Sequence, residues 1–304
     1  MRIIFTIIII TLIASCNTTK PNLTNSLTNL YTPPGTLKID SNYFIDETEI
    51  TNISWLEYLF WLKKFYGENS YEFKNALPDS TVWSELHTSY SDHDQYHLKH
   101  RAYRDHPVVG ISYNQAQEYS KWRSDRVMEF LLIRGSVVPA IRTGSKDSLF
   151  TIKKYFNGNY LNLVPDTNYL YYPQYTLPDT AEYSRILNFS NSLMMKNFKS
   201  CKKTKWNDPV VQDNWCFENL PNKTESLPYG IDPTKNVHYF TCKRALITHL
   251  KGNVREFTNV KNIVFGNSYY DSTDSKNNNF RQVSSPNAYT GFRNICRYKK
   301  WNEN

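Results

Sequence analysis

Residues 106–123 read HPVVGISYNQAQEYSKWR, and they contain the clearest start of a helix in the chain. Ser112 stands three residues before Gln115, the spacing at which each side chain can bond to the other residue's backbone N–H group. Apolar side chains then recur at helical spacing through Phe130 and stop near Gly135. The sequence therefore predicts a long, half-buried helix that begins at Ser112.

Two further segments carry the same signals. Ser54-Trp55-Leu56-Glu57 is a capping box, and the apolar positions that follow keep helical spacing until Gly67. Asp179-Thr180-Ala181-Glu182 opens a third helix. Residues 43–50 (YFIDETEI) alternate enough to predict a strand, and the second half of the chain is dense in turn-forming residues. These patterns predict an α+β single domain in which loops surround short strands.

The composition limits the class of protein. The 304 residues include 40% apolar and 15% aromatic residues, which excludes a disordered chain. The net charge of +8 is mild and spread along the chain, so we expect no nucleic-acid partner. Residues 135–175 and 190–227 are predicted to be insertions. The second contains the lysine-rich run 196–205, which we interpret as a solvated loop, with contact to an anionic membrane or an acidic partner as the alternative.

The N-terminus predicts where the protein resides. Residues 3–14 are mostly apolar, follow a positive start and are too few to cross a bilayer, which is typical of a signal peptide. The run ends Leu-Ile-Ala-Ser before Cys16 and resembles the bacterial lipobox. We therefore interpret 1–15 as a lipoprotein signal peptide, Cys16 as the lipidated first residue of the mature protein, 16–35 as a tether and 36–304 as the folded domain. The expected location is the cell envelope, on the periplasmic side of the outer membrane, and the alternative is an ordinary signal peptide with a chance cysteine.

Five segments, in this order, resemble the formylglycine-generating enzyme family, also called sulfatase-modifying factors. The segments are FIDETEITN at 44–52, HPVVGISY at 106–113, LPDTAEY at 177–183, GNVREFT at 252–258 and YTGFR at 289–293. The family fold is a loop-rich α+β domain related to C-type lectins. The resemblance thus implies the same fold class that the helix and strand patterns predict independently.

A narrower likeness covers residues 78–126. Segments 78–83, 100–107 and 122–127 look like those of gliding-motility lipoproteins of the GldJ/GldK type from Bacteroidetes. Those lipoproteins are structural parts of the type IX secretion and gliding machinery. The resemblance implies a non-catalytic envelope lipoprotein whose partners are other proteins of such a complex. The alternatives are a lipid-anchored glycan- or peptide-binding module, and an envelope enzyme with non-copper chemistry on the same scaffold.

The resemblance also implies that the family's oxidase chemistry is missing. Formylglycine-generating enzymes bind Cu(I) through a C-x4-C cysteine pair, because soft thiolates suit that ion. Here the matching region runs from Phe265 to Asn279, and no cysteine lies between Cys242 and Cys296. We therefore predict no catalytic residue and no certain cofactor.

Two other groups of polar residues are candidates for a metal or catalytic site. His93 and His97 have the spacing of the HxxxHxE iron motif of related enzymes, but Lys99 replaces the carboxylate, and a polar loop with scattered histidines is the alternative. A group of carboxylates on the predicted strand is expected on a solvated sheet face: Asp46, Glu47 and Glu49.

Four cysteines remain once a signal peptide is removed, and exported proteins can keep disulfides. The three possible pairings stay open; we favour Cys201–Cys216 and Cys242–Cys296, with free buried thiols as the alternative. The family's usual partner position for a cysteine near 296 is Ser120 in this chain.

The resemblance further implies a possible calcium site. Carried over from the family, its ligands are the backbone carbonyls of Gly252 and Val254 and the side chain of Glu256, oxygen donors of the kind that calcium prefers. His249 stands where the family has Asn or Asp, and imidazole is a poor calcium ligand. The alternative is that Glu256 braces its loop by hydrogen bonds.

Overall fold

The computed structural model describes residues 30–140, 144–145, 148–198, 233–238, 247–250, 252–271 and 280–302, with backbone alone for 194–198. The predicted signal peptide, Cys16 and most of the predicted tether lie outside these ranges. So do Cys201, Cys216, Cys242 and nearly all of the lysine-rich run 196–205.

Seven α-helices and eight β-strands occur in the described ranges. In chain order they are β1 (Thr36–Asp40), β2 (Tyr43–Asp46), α1 (Asn52–Tyr66), α2 (Tyr71–Asn75), α3 (Val82–Leu86), α4 (Ser91–Tyr96), α5 (Tyr113–Arg134), α6 (Ile152–Phe156), β3 (Tyr171–Thr176), α7 (Thr180–Phe198), β4 (Arg255–Phe257), β5 (Ile263–Phe265), β6 (Phe280–Gln282), β7 (Thr290–Gly291) and β8 (Ile295–Lys300).

Two four-stranded sheets organise these elements. The first is antiparallel with the order β1-β2-β8-β3, so that β8, close to the end of the chain, lies between two early elements. The second has the order β6-β5-β4-β7, and its β4–β7 pair is parallel. The strands of the second sheet have only two or three residues, as the turn-rich second half of the sequence predicts.

The predicted long helix is confirmed as α5. The Ser112 side chain accepts a hydrogen bond from the Gln115 backbone, and the Gln115 side chain accepts one from the Ser112 backbone. The helix that starts at Thr180 is confirmed too, with the same reciprocal bonds between Asp179 and Glu182, both 2.7 Å. It continues to Phe198, so helix occupies the first part of the predicted insertion 190–227.

Two predicted boundaries near the start of the domain are wrong. The N-cap of α1 is Thr51, whose hydroxyl accepts from the Ser54 backbone N–H, and not Ser54 itself. β2 ends at Asp46 instead of residue 50, because the chain leaves the sheet here to begin α1. The Ile50 backbone N–H then donates to Phe292 O at 2.8 Å, which ties this connection to the closing motif.

The main apolar core lies between α5, α6 and the first sheet. Its buried members include Phe150, Tyr155 and Tyr160, so the predicted insertion 135–175 supplies part of the core. Leu30 is buried in the same core, which places the start of the folded domain before residue 36. Both corrections have one cause, since these apolar side chains are removed from water only when their segments pack onto α5.

A second core joins α1 to the rest of the domain. Trp55 stacks on Tyr119 of α5 with a centroid separation of 5.3 Å, and Phe292 meets both rings edge-on. This aromatic contact holds the two longest early helices against the closing motif. Within the ranges that the structure covers, no helix combines the length and apolarity needed to cross a membrane.

Candidate functional site

Strand pairing brings the motifs GNVREFT and YTGFR together. β4 lies beside β7 with Glu256 opposite Gly291, so Arg293 follows immediately at the edge of this pair. A Cβ atom at Gly291 would lie 2.9 Å from Val108 O and 3.0 Å from Val254 Cγ2. Only glycine allows this close approach, which sets Arg293 next to Glu256.

Glu256 and Arg293 form a buried, bidentate ion pair. Arg293 Nε donates to both carboxylate oxygens of Glu256 at 2.7 and 2.8 Å, and Nη2 donates to Oε1 at 2.5 Å. Arg293 Nη2 also donates to Thr248 O at 2.7 Å, while the Tyr183 hydroxyl donates to Glu256 Oε2 at 3.2 Å. The exposed fractions are 0% for Arg293 and 1% for Glu256, so solvent does not reach the pair.

These residues do not fit the calcium ligand set that the resemblance implies. Both oxygens of Glu256 accept hydrogen bonds from a guanidinium cation, which would repel a divalent ion at the same carboxylate. The described residues also contain no group of three or more His, Cys, Asp or Glu side chains arranged to hold a metal ion. The geometry favours the alternative, in which Glu256 braces the loop that carries Gly252 and Val254.

A second buried carboxyl group, Glu49, lies beside this pair. Its Oε1 accepts from Asn253 Nδ2 at 3.0 Å, and its buried Oε2 has no hydrogen-bond partner. Burial, together with the nearby charge of Glu256, raises the pKa of Glu49 to about 8, although Arg293 opposes the shift. Glu49 is therefore largely protonated at neutral pH. The neutral carboxyl group avoids a second negative charge beside Glu256.

Asp46 connects the opening motif to the end of the domain. Its Oδ2 accepts from Arg123 Nη1 at 2.7 Å and from the Asn294 backbone N–H at 2.9 Å. Asn294 Nδ2 in turn donates to Ser120 Oγ at 2.7 Å. The prediction of a solvated sheet face is thus wrong for Asp46, which α5 and the segment before β8 cover, and for Glu49, which lies beyond the end of β2 and is buried beside Asn253.

A group of histidines lies apart from these ion pairs. His97 is buried, and its ring lies 6.0 Å from that of His93 and 6.1 Å from that of His106, measured between centroids. The Thr234 hydroxyl bonds both His97 Nε2 at 3.2 Å and His106 Nδ1 at 2.8 Å. Burial lowers the pKa of His106 to about 4 and that of His97 well below its usual value, so both rings are neutral at pH 7.

His93 and His97 do not reproduce the HxxxHxE iron motif. His97 uses its ring nitrogens toward Thr234 and Asn52, and Lys99, at the position of the missing carboxylate, is exposed. The polar-loop alternative is also inexact, since His93 belongs to helix α4 and His97 is its C-terminal cap. The histidines act as packing and hydrogen-bonding groups that hold residues 233–238 against the domain.

The region that corresponds to the family's cysteine pair carries charged side chains where it is described. Arg255 Nε donates to Asp271 Oδ2 at 3.0 Å, and Arg281 also pairs with this carboxylate. Ser268 donates to the same oxygen through its backbone and its hydroxyl. The arginines hold the pKa of Asp271 below its ordinary value against the effect of burial, so the carboxylate is ionised. Residues 272–279 lie outside the described ranges.

Cys296 carries a free thiol. It lies in β8, fully buried in the main core, and burial raises the pKa of the thiol well above its usual value. The structure therefore does not contain the predicted Cys242–Cys296 bridge, because the Cys296 side chain packs into the apolar interior. The second predicted bridge, Cys201–Cys216, lies outside the described residues.

Sequence reasoning missed the buried roles of Glu49, Asp46 and Thr234. Asp46 and Glu49 do fall within the opening motif, which was a signal that they matter, but nothing local indicates their burial. Together with Glu256 and Arg293 they define an α+β domain whose first and last motifs are joined by internal ion pairs and hydrogen bonds.

The chain belongs to the family of the sulfatase-modifying factor enzyme 1-like domain, whose profile matches residues 17–298. The predicted family and the α+β single-domain fold are thereby confirmed. No curated protein matches the sequence. The narrower likeness to gliding-motility lipoproteins stays a prediction.

Proposed function

We propose that this protein is a non-catalytic member of its family that is anchored by lipid in the cell envelope and forms a structural part of a membrane-associated complex. The observation that carries the proposal is the placement of the motif charges. Glu256 and Arg293 are bonded to each other in the interior, and Asp46 is bonded to Arg123, so these groups stabilise the fold and face no substrate. A domain of this kind offers its surface, and not a reactive centre, for function.

The sequence of the candidate oxidase region supports the non-catalytic role. Copper-dependent formylglycine formation needs two thiolates, and the region between Cys242 and Cys296 has none. In the described part of that region Asp271 is ionised, and its carboxylate, a hard ligand, is paired with Arg255 and Arg281. None of these side chains can replace a thiolate as a Cu(I) ligand.

Two of the three segments that resemble gliding-motility lipoproteins, 78–83 and 100–107, meet at His97, and we take this as support for a role in secretion or gliding. The ring of Trp83 lies 4.4 Å from that of His97, measured between centroids. The ring of Tyr103 stacks on that of His97 with a centroid separation of 5.2 Å. The Asp79 backbone N–H donates to Gly110 O at 2.7 Å, which fixes this unit to the start of α5. The likeness therefore includes the buried environment of His97 and not only separate stretches of sequence.

Exposed aromatic side chains provide candidate contacts for partner proteins. Phe60 on α1 is 69% exposed and Tyr71 at the start of α2 is 78% exposed, and α1 and α2 are in contact. Large aromatic side chains are enriched in protein interfaces, where they bury much area at a small cost in conformational entropy. We assign this α1–α2 surface to contacts with other envelope proteins.

Mild cross-linking in native membranes tests the proposal. Tagged full-length protein should be recovered at a fixed ratio with other envelope lipoproteins or with secretion-channel proteins identified by mass spectrometry. The double variant Phe60→Asp, Tyr71→Asp should lose these partners, whereas Val260→Asp, at a position that is also exposed and lies between β4 and β5, should keep them. Recovery of the protein alone would contradict the structural role.

A second measurement tests the non-catalytic role separately. Purified protein loaded with Cu(I) should not consume oxygen in the presence of a cysteine-containing sulfatase peptide, nor convert that cysteine to formylglycine. Turnover above the rate of free Cu(I) with the same peptide would overturn this part of the proposal. Saturable binding to a glycan or peptide, without recovery of protein partners, would instead support the alternative of a binding module.

A further inference from the structure

The point at which the N-terminal segment joins the fold is well defined. Leu30 is buried in the main core, and the Tyr298 hydroxyl donates to Tyr31 O at 2.9 Å. Arg134, at the end of α5, donates to the Tyr31 hydroxyl at 3.1 Å. Thirteen residues lie between Cys16 and Leu30, and the fourteen steps from one to the other span at most about 50 Å when fully extended. A lipid at Cys16 would therefore keep this corner of the domain near a membrane surface.

The same corner exposes apolar and aromatic side chains. The loop between α6 and β3 contains Val164, which is 88% exposed, and Leu161, which is also exposed. Trp301 ties this loop to the end of β8, because its backbone N–H donates to Leu170 O at 2.8 Å and its ring stacks on Phe156 at 4.9 Å. Trp301 and Leu163, the loop residue next to Val164, both pack against the core that holds Leu30.

The backbone of this loop is held in an unusual conformation. Leu161 and Asn162 have φ values of 53° and 55°, in the left-handed region that a branched side chain such as leucine seldom adopts. The strain is not offset by burial, since Leu161 points into solvent. Residues that keep such conformations cluster at functional sites.

Basic residues border these apolar side chains. Lys300 at the end of β8 is exposed, and Tyr171 lies opposite it in the β3–β8 pair, on the sheet face that carries Cys296 and Tyr298 toward the main core. Lys153 in α6 is exposed as well, whereas the acidic neighbour Asp166 directs a carboxylate oxygen to the Asn168 backbone N–H. Lysines beside tyrosine, tryptophan and exposed aliphatic side chains are the composition that suits the interface of an anionic bilayer.

We propose that this entry face, formed by Leu161, Val164, Tyr171, Lys300 and Trp301, lies on the surface of an anionic phospholipid bilayer. The inference rests on the lipid anchor at Cys16 that belongs to the proposed function. The anchor brings the corner to the membrane, and the face then orients the domain. The α1–α2 surface, which packs over a different core, is left available for protein partners.

Quenching of tryptophan fluorescence by brominated lipid tests the orientation. Full-length, lipidated protein is reconstituted into vesicles of acyl-brominated phosphatidylcholine, with or without phosphatidylglycerol. Val164→Trp adds a reporter on the entry face, and Phe60→Trp adds a matched reporter on α1; both positions are exposed, so folding should be preserved and is checked by circular dichroism. The wild-type signal is subtracted. We expect the added fluorescence to be quenched at position 164 and unaffected at position 60.

The charge contribution is tested in the same vesicles. Lys300→Glu in the Val164→Trp protein should reduce quenching when phosphatidylglycerol is present, since a lysine near an anionic surface favours contact by roughly fivefold. Absence of quenching at position 164, or equal quenching at position 60, would overturn the inference. So would cross-linking of position 164 to a protein in native membranes without quenching in vesicles.

Flotation of the protein with the vesicles tests the lipid anchor independently of the orientation. If the reconstituted protein floats with the vesicles but position 164 is not quenched, the orientation is wrong and the lipid anchor stands. If the protein does not float with any vesicle, the anchor at Cys16 is wrong, and the orientation that depends on it is wrong too.

Discussion

Replacing Arg293 with methionine should lower the free energy of unfolding by about 3–5 kcal/mol, the usual effect of removing one partner of a buried ion pair. The guanidinium makes three hydrogen bonds of 2.5 to 2.8 Å to Glu256 and one of 2.7 Å to Thr248 O. After the substitution Glu256 keeps the Tyr183 hydroxyl at 3.2 Å, which cannot balance a buried carboxylate.

The loss should grow as the pH rises. Glu49 lies close enough to Glu256 for each charge to disfavour the other, and Arg293 moderates this repulsion. Without the cation both carboxyl groups hold their protons more tightly in the folded state than in the unfolded chain. The stabilisation from these bound protons is present at acidic pH and disappears at alkaline pH, where both groups must ionise.

Urea unfolding followed by tryptophan fluorescence measures the effect. Arg185→Met is the matched control, because the Arg185–Asp40 pair is exposed and should contribute at most about 1 kcal/mol. The double variant Glu256→Leu, Arg293→Met should be more stable than either single change, since an apolar pair leaves no uncompensated charge. A loss for Arg293→Met no larger than that for Arg185→Met would refute the reasoning.

Four further predictions test other parts of the structure. Because burial raises the pKa of Glu49 to about 8, wild-type stability should fall as the pH rises toward that value, and Glu49→Gln should remove this fall in urea unfolding at a series of pH values. Because the pKa of His106 is lowered to about 4, stability should decrease as the pH falls from the ordinary histidine value of about 6.5, and His106→Gln should make this decrease shallower in acid titrations. Thr51→Ala should lower the free energy of unfolding by about 1 kcal/mol through loss of the α1 cap, whereas Glu57→Ala should change it by only about a few tenths of a kcal/mol. A larger effect of Glu57→Ala would show that the Ser54–Glu57 box caps the helix instead. Calcium chloride should leave the melting temperature unchanged, because Arg293 occupies the Glu256 carboxylate, and a saturable rise would show that calcium binds.

Local signals predicted the helices well. The α5 and α7 starts depend on side chains three residues apart, and both sets of reciprocal bonds form as the spacing indicates. At α1 the predicted box at Ser54 was wrong, and the N-cap is Thr51, next to the bond between the Ile50 backbone and Phe292. That contact joins segments far apart in sequence, so no local pattern could have indicated it.

The burial of the acidic residues could not be predicted in the same way. Alternation along residues 43–50 indicates that a strand has two faces, but it does not show what covers each face. Asp46 is covered because Arg123 and Asn294 reach it from positions 77 and 248 residues away. The expected disulfide failed for a related reason, since the position of Cys296 inside the core is set by the packing of β8 between β2 and β3.

The sequence by itself determined the family, the α+β class, the caps of α5 and α7 and the absence of cysteines from the oxidase region, because these depend on residue identity and short spacing. The tertiary structure alone decided that Glu256 binds Arg293, that Glu49 keeps its proton and that apolar side chains such as Leu30, Phe150 and Tyr155 belong to the core. Those properties depend on which distant segments exclude water from a side chain. Exclusion of water changes the free energy of a charge far more than any neighbour in the sequence does.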